Sequence, residues 1–408
     1  MRLFLFFAFT LLYQYYVFQV IKTVTQNRWL WMGYLVMVLL IYGALIYQAF
    51  ELQSQAQGIT RRMSYVMGIF FPLFAFQMVA LLFLVTEDIF RIPQAIYRYF
   101  TQDSTGGYFP DRRKFLAQLA LGLGAIPFGG LLYGMIRGRY DYKVLHYSLN
   151  FKNLPKAFDG LKVLQISDFH AGSFDNPAKV QYGLDLIQKQ QADLILFTGD
   201  LVNNKATEAE PWVEALAALK APLGKYSILG NHDYGDYVAW PSTEAKAQNL
   251  EDLKALQEQM GFRLLCNEAV FIERNTARLA LVGVENWGKG GFKKAGDLNR
   301  ATAQVDADDF KILMSHDPSH WEAEVLPHPF PFELTLSGHT HGMQFGIEIP
   351  GWFKWSPVQW RYKQWVGLYQ KAGQWLHVNR GFGYLAYPGR VGMWPEITLL
   401  VLKREENG

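Results

Sequence analysis

Runs without charge dominate the first third of the chain. Residues 3–21, 29–50, 63–86 and 115–136 hold no Asp, Glu, Lys or Arg, and their lengths are 19, 22, 24 and 22 residues. A helix of ~20 apolar residues crosses the ~30 Å hydrocarbon layer of a bilayer, so the pattern predicts four transmembrane helices. After about Arg139 the pattern changes. Short aliphatic runs at 163–166, 194–197, 226–229, 278–284, 310–314 and 333–336 read as strands, and 176–189 and 206–220 read as helices. Such alternation predicts an α/β domain with helices covering a sheet. In the tail, 366–369, 374–378 and 396–402 read as strands of a second, mostly antiparallel sheet.

Composition agrees with this division. Of 408 residues, 50% are hydrophobic and 18% charged, below the ~25% charge of average soluble proteins. The net charge is +3 and no five like charges are consecutive, so there is no electrostatic footprint for nucleic acid. Cys266 is the only cysteine, which excludes an internal disulfide and a cysteine-rich zinc site and leaves the redox compartment open.

The fourth apolar run is rich in glycine and follows Asp111-Arg112-Arg113-Lys114-Phe115-Leu116. That lead-in resembles a twin-arginine export signal, with Asp111 and Ala117 departing from the usual pattern and the position internal; a plain basic flank on a membrane helix is the simpler reading. Both give one orientation. Loop Lys and Arg number seven on one side (Lys22, Arg28, Arg91, Arg98, Arg112, Arg113, Lys114) and six on the other (Arg2, Arg61, Arg62, Arg137, Arg139, Lys143). The density at 112–114 favours a cytoplasmic third loop and a soluble domain on the outer side.

The chemistry sits just after the predicted strands. The first ends in Asp168-Phe169-His170, the next in Gly199-Asp200, then Gly230-Asn231-His232-Asp233, His316, and Gly338-His339-Thr340-His341-Gly342. Ligands of open α/β sheets bind beyond the carboxyl ends of strands. Five strand ends thus bring Asp168, His170, Asp200, Asn231, His232, His316, His339 and His341 to one rim. Oxygen donors mixed with imidazole, without thiolate, suit divalent Mn, Fe or Zn. Eight groups exceed one tetrahedral ion and match two ions, the arrangement suited to attack on a phosphoryl group. Most of these motifs taken singly read more readily as a turn, a helix cap or a core histidine; the two glycine-flanked histidines at 338–342 have no packing rationale, and the ordered set has none either.

That ordered set resembles the calcineurin-like metallophosphoesterase superfamily over roughly 161–402, and the hydrophobic lead-in with paired arginines is similar to its membrane-associated bacterial subgroup. The resemblance implies a two-sheet β-sandwich flanked by helices. It implies one metal held by Asp168, His170 and His341, a second by Asn231, His316 and His339, and Asp200 bridging both. His232 would not be a ligand but the acid or transition-state stabiliser over the substrate phosphate. Bridging calls for a carboxylate's charge between two dications, and a water shared by two cations supplies hydroxide near neutral pH. The chain divides on this reading into a membrane region 1–138, a connector 139–160 and a catalytic domain 161–408, in the bacterial cytoplasmic membrane with the catalytic part outside.

The substrate is less legible. Gly288-Lys289-Gly290-Gly291 lacks a phosphate-loop pattern and reads as a flexible loop. Trp352, Phe353, Trp355, Trp360, Tyr362 and Trp365, interleaved with Lys354, Arg361 and Lys363, fit either ordinary loop packing or the lipid headgroup layer. The sequence therefore carries three readings: a membrane-tethered phosphate mono- or diesterase, a lipid-precursor pyrophosphatase acting on a nucleotide-linked sugar lipid, and a non-enzymatic membrane protein. The lack of charge within the apolar runs argues against a transporter.

Overall fold

The structure, a computed structural model, describes residues 2–55, 58, 60–101, 110–349 and 351–405. It divides into two compact units, Met1–Glu51 with Arg62–Met135, and Leu52–Arg61 with Ile136–Gly408.

The first unit is helical: α1 (Arg2–Val24), α2 (Arg28–Gln55), α3 (Arg61–Thr101) and α4 (Pro110–Ile136). These cover the four charge-free runs. Among the described residues three spans are long and apolar enough to cross a membrane, Arg28–Glu51, Arg61–Thr101 and Arg112–Tyr140; the side chains of α1 are described from Thr10 onward. Tyr13, Val17 and Val20 of α1 pack with Ala80 and Leu84 of α3 and Ala117 of α4. One polar node ties three helices together. Gln77 Oε1 accepts from the hydroxyls of Tyr13 at 2.9 Å and Tyr42 at 3.0 Å, and its Nε2 donates to Tyr34 Oη and Gln14 Oε1, each at 2.9 Å. A buried amide in an apolar bundle needs such partners because no water reaches it. The run Arg112–Leu116 is helical, and 102–109 of the third loop lies outside the described residues.

The second unit is a sandwich of two six-stranded sheets. One has the order β1 (Lys143–Phe151), β14 (Glu396–Arg404), β2 (Leu161–Ile166), β3 (Leu194–Phe197), β4 (Lys225–Ser227), β5 (Arg263–Leu264). The other runs β12 (Gly367–Lys371), β13 (Gln374–Val378), β9 (Leu334–Ser337), β8 (Lys311–Met314), β7 (Ala277–Gly283), β6 (Glu268–Arg274). Strands β2 to β5 are parallel, as are β13, β9, β8 and β7. Period-two alternation sorts their side chains. Leu194 and Leu196 face Leu279, Leu281, Ile312, Met314, Leu334 and Leu336 between the sheets. Ile195 and Phe197 turn outward beneath α5 (Pro177–Lys189), α6 (Val213–Ala217) and α7 (Thr243–Gln259). The outer face of the second sheet is covered by α8 (Leu298–Ala301) and the turn holding Trp321 and Val325.

Several local expectations are corrected. The three predicted tail strands form no sheet of their own: β12 and β13 join the second sheet, whereas β14 enters the first between β1 and β2. β14 is apolar on both faces, Ile397 and Leu399 on one and Leu400 and Leu402 on the other, and only an interior position buries both. The supposedly polar connector supplies β1, whose edge position leaves much of it half-exposed. The helix expected at 206–220 is two 3₁₀ turns followed by the short α6, because Pro211 has no N–H to continue it. Helix α7, capped by the Ser242 side chain accepting from Ala245 N, was not foreseen because its buried face includes the polar Asn249 and Gln257.

Candidate metal centre

Five strands, three from the first sheet and two from the second, end on one side of the sandwich. Asp168 and His170 follow β2, Asp200 follows β3, and Asn231 and His232 follow β4. His316 follows β8, and His339 and His341 follow β9. The rim expected from one open sheet is thus shared between two. Asp168, His170, Asp200, His339 and His341 all have φ between 50° and 71°, a left-handed conformation that costs roughly 1–2 kcal/mol in a residue with a Cβ. Five of them in one site mark a place where tertiary contacts overrule local preference.

Those contacts are specific. Asp168 N–H donates to Gly199 O at 2.9 Å and His170 N–H to Asp200 O at 3.1 Å, stitching the two loops together. The Asp233 carboxylate, fully buried, accepts from Gly230 N at 2.8 Å, Asp200 N at 2.9 Å and Leu201 N at 2.8 Å. Gly199 has φ +95°, and a Cβ there would lie 2.6 Å from Gly230 N, so only glycine lets these loops approach.

The side chains form two adjoining groups. In each, the ligand-type atoms lie within 4.8 Å of one another: Asp168, His170 and His341 in one, Asp200, His316 and His339 in the other. Asp200 Oδ2 lies between them, 3.1 Å from His316 Nε2 and 3.7 Å from His170 Nε2. Asn231 Oδ1 is 2.7 Å from His339 Nδ1. His232 stands beside the first group, its ring 5.0 Å from that of His170. Its backbone N–H donates to Asp200 Oδ1 at 2.8 Å, and its Nδ1–H donates to Asn203 O at 2.7 Å. The ring's Nε2 is thereby left for other chemistry.

The protonation pattern suits cations. His316 Nδ1 is 2.7 Å from Thr198 O; a carbonyl only accepts, so the neutral ring keeps its lone pair on Nε2. That Nε2 is buried and lies 3.1 Å from Asp200 Oδ2; burial lowers this imidazole, but Asp200 outweighs it and raises the ring to about 10. A lone pair facing a carboxylate oxygen this closely is repelled unless a proton or a cation lies between them, and a divalent ion there would replace the proton. His170 is oriented by Asn203 Oδ1, 3.0 Å from its Nδ1. His341 differs: Arg390 Nη2, a pure donor, lies 3.0 Å from its Nδ1. Its Nε2 is thereby turned toward His170 Nε2 at 3.0 Å and Asp168 Oδ1 at 3.2 Å. Burial pushes His170 well below the ordinary imidazole value, and His341 beside it adds to the effect. Burial likewise lowers His339. Burial alone would raise the Asp200 carboxyl, but His316 and His232 outweigh it and hold it well below the usual range. The donor set, two carboxylates, an amide and four imidazoles, fits two hard-to-borderline divalent ions.

Other residues support these groups in roles the sequence does not signal. Tyr362 Oη meets His339 Nε2 at 2.8 Å and donates to Asp317 Oδ2 at 3.4 Å, orienting the ring from behind. Tyr237 accepts from Asn231 Nδ2 at 2.8 Å, turning the amide oxygen toward His339. Phe292, at the end of the glycine-rich loop, packs edge-on against His339 at 4.7 Å. Asp233 belongs to the Gly230–Asp233 motif, though its role in joining the loops is not legible there. Asn203, Tyr237, Tyr362 and Arg390 carry no local signal.

A metal-binding phosphoester hydrolase is the class this fold and site define. The family model described as Calcineurin-like phosphoesterase matches residues 161–343, and that described as Probable Calcineurin-like phosphoesterase, transmembrane domain, matches 1–139. The chain is similar to the uncharacterized metallophosphoesterase YkuE of Bacillus subtilis, with 30% identity over 300 residues, covering 72% of this chain and 98% of the relative. It is similar to an uncharacterized metallophosphoesterase of Aquifex aeolicus at 28% identity, covering 66% of this chain and 94% of the other. A transmembrane protein with metallophosphoesterase domain from Danio rerio is 27% identical, covering 67% of this chain and 60% of that protein. The chain belongs to the calcineurin-like metallophosphoesterase family, a family of phosphoric ester hydrolases, and it carries that family's transmembrane domain.

Proposed function

We propose that this protein is a membrane-anchored, binuclear metal-dependent phosphoesterase hydrolysing a phosphate mono- or diester. Asp168, His170 and His341 hold one divalent ion, Asn231, His316 and His339 hold the other, and Asp200 serves both. The ions, of the Mn, Fe or Zn type, supply Lewis acidity toward the phosphoryl oxygens and acidify water at neutral pH when bound. His232, held through its Nδ1–H and its backbone N–H, presents Nε2 to the leaving oxygen as proton donor or charge stabiliser. Asp233 and Asn203 fix the loops that carry these groups. The observation that carries the reading is Asp200 Oδ2 lying between imidazoles of both groups, 3.1 Å and 3.7 Å away. Residues 1–138 form the membrane anchor and 161–408 the catalytic domain, with 139–160 leading into it and supplying β1. The anchor sits in the bacterial cytoplasmic membrane with the catalytic domain outside, as the basic flank of α4 favours.

A second reading, pyrophosphatase action on a nucleotide-linked sugar lipid, draws support from the exposed indoles of Trp352 and Trp360, which share a chain segment with Tyr362. The experiment that tests both combines metal analysis of the purified protein with a panel of soluble esters and detergent-dispersed lipid pyrophosphates. His232→Ala should keep its metal and lose at least ~100-fold in turnover, the usual size of a general-acid contribution. Asp200→Asn should lose metal as well. Full activity in the first variant, or full loading in the second, contradicts these roles.

A further inference from the structure

Strands β10 (Ile347–Ile349) and β11 (Phe353–Trp355) form a two-stranded ribbon separate from both sheets. Its register pairs Ile347 with Trp355, Glu348 with Lys354 and Ile349 with Phe353. Cross-strand partners share a face and successive residues alternate, so Ile347, Ile349, Phe353 and Trp355 line one face and Glu348 and Lys354 the other. The polar face is occupied: Glu348 pairs with Arg380, and Lys354 Nζ donates to Val366 O at 2.9 Å and Tyr369 Oη at 3.1 Å. Most of the apolar face is bare; Trp355 is half-buried, its ring edge-on to Phe345 at 6.3 Å. Ile347, Ile349 and Phe353 are 53%, 45% and 47% exposed, and Trp352 at the turn is 81% exposed. Trp360, 78% exposed, sets its ring edge-on to Trp355 at 6.3 Å. Scattered exposed apolar residues are ordinary; this many on one short segment mark an interaction surface.

We propose that this face docks into the headgroup layer of an anionic bilayer. Exposed indoles and aliphatic side chains match that layer, where an aromatic ring is half in apolar surroundings and half wet. The charges nearby have the right sign. Lys354, Arg361, Lys363 and Lys371 stand against Glu322 and Glu348, an excess of cations that anionic lipid attracts and that a second copy of the same face would repel. The membrane helices of the same chain keep a bilayer at high effective concentration. Ser356, one residue past the ribbon, donates from Oγ to Gly342 O at 2.9 Å, tying it to the loop that carries His341, so its docking would hold that loop at the lipid surface. On the phosphoesterase reading, from which this last step follows, the substrate phosphate is borne by a membrane lipid.

The test uses the full chain in vesicles of phosphatidylcholine and phosphatidylglycerol. With Cys266→Ser as background, an environment-sensitive fluorophore is placed at Trp352→Cys and, as reference, at the exposed Lys189→Cys. The label at 352 should shift to the blue and be quenched by headgroup nitroxide lipids, while the label at 189 should show neither effect. A water-like label at 352 overturns the proposal, as does a blue-shifted label that the nitroxides do not quench, since a protein would then cover the face. The double variant Trp352→Ser with Trp360→Ser should lose roughly tenfold of its activity toward a phospholipid headgroup ester in vesicles and keep that toward bis(p-nitrophenyl) phosphate. Equal activity on both esters refutes the link between ribbon and substrate. Inactivity of the unaltered protein on both would refute the phosphoesterase reading and leave the fluorescence result standing.

Discussion

Replacing Gly338 by alanine isolates how the second sheet positions a group carried by the first. A Cβ at this residue would lie 1.9 Å from Ser167 Oγ and 2.2 Å from Asp168 Oδ2, where ordinary contacts are well over 3 Å. Both neighbours are completely buried, so neither can swing into solvent. The Asp168 carboxylate accepts the His339 N–H at 3.1 Å and 3.0 Å through its two oxygens, and its Oδ1 is 3.2 Å from His341 Nε2. Moving it weakens these charge-assisted contacts, each worth roughly 1.5–3 kcal/mol, and forces strained rotamers at about 1 kcal/mol more. Partial relaxation leaves an expected loss of about 3 kcal/mol. For a domain of this size that is a fall of about 6–12 °C in the melting temperature. Thermal unfolding of the full chain in detergent, followed by fluorescence of its 12 tryptophans, measures it, and metal analysis should show weaker loading. Gly291→Ala, where a Cβ would meet nothing within 4 Å, is the control and should melt normally. If Gly338→Ala melts and loads metal as the unaltered protein does, the close packing of the two loops is not what sets Asp168.

Two further outcomes follow from other contacts. Burial alone would push the Glu396 carboxyl up, but Arg380 beside it, with His377 and Thr398, holds it at about 2 against an ordinary 4.5. The depressed value means that its stabilisation is complete above the ordinary value and is lost as pH falls toward 2. Glu396→Gln should therefore be destabilised by roughly 3 kcal/mol at pH 7, with the difference shrinking between pH 4.5 and 2; a pH-independent difference in urea midpoints would contradict the ion pair. Tyr362→Phe removes the partner of His339 Nε2 and should weaken metal affinity about tenfold with the fold intact, read by competition with a chelator; unchanged affinity would show that the ring needs no such support.

Sequence by itself determined the composition of this protein's parts. Charge-free runs of 19 to 24 residues dictate membrane helices because a bilayer leaves no alternative for apolar chain of that length. The short strands and the Asp, Asn and His residues behind them are likewise local facts, since backbone periodicity and ligand chemistry are carried in adjacent residues. Tertiary structure alone decided the rest. It placed β14 inside the first sheet, because only that position buries Ile397 and Leu400 on opposite faces. It held five site residues at positive φ, against their own preference, through contacts from another strand. It brought Tyr362, Asn203 and Arg390 behind the histidines from remote loops, where a single polar residue looks like any other. And it divided the aromatic run, burying Tyr362 and Trp365 while leaving Trp352 and Trp360 exposed: burial belongs to the packed whole, and no residue's neighbours in sequence fix it.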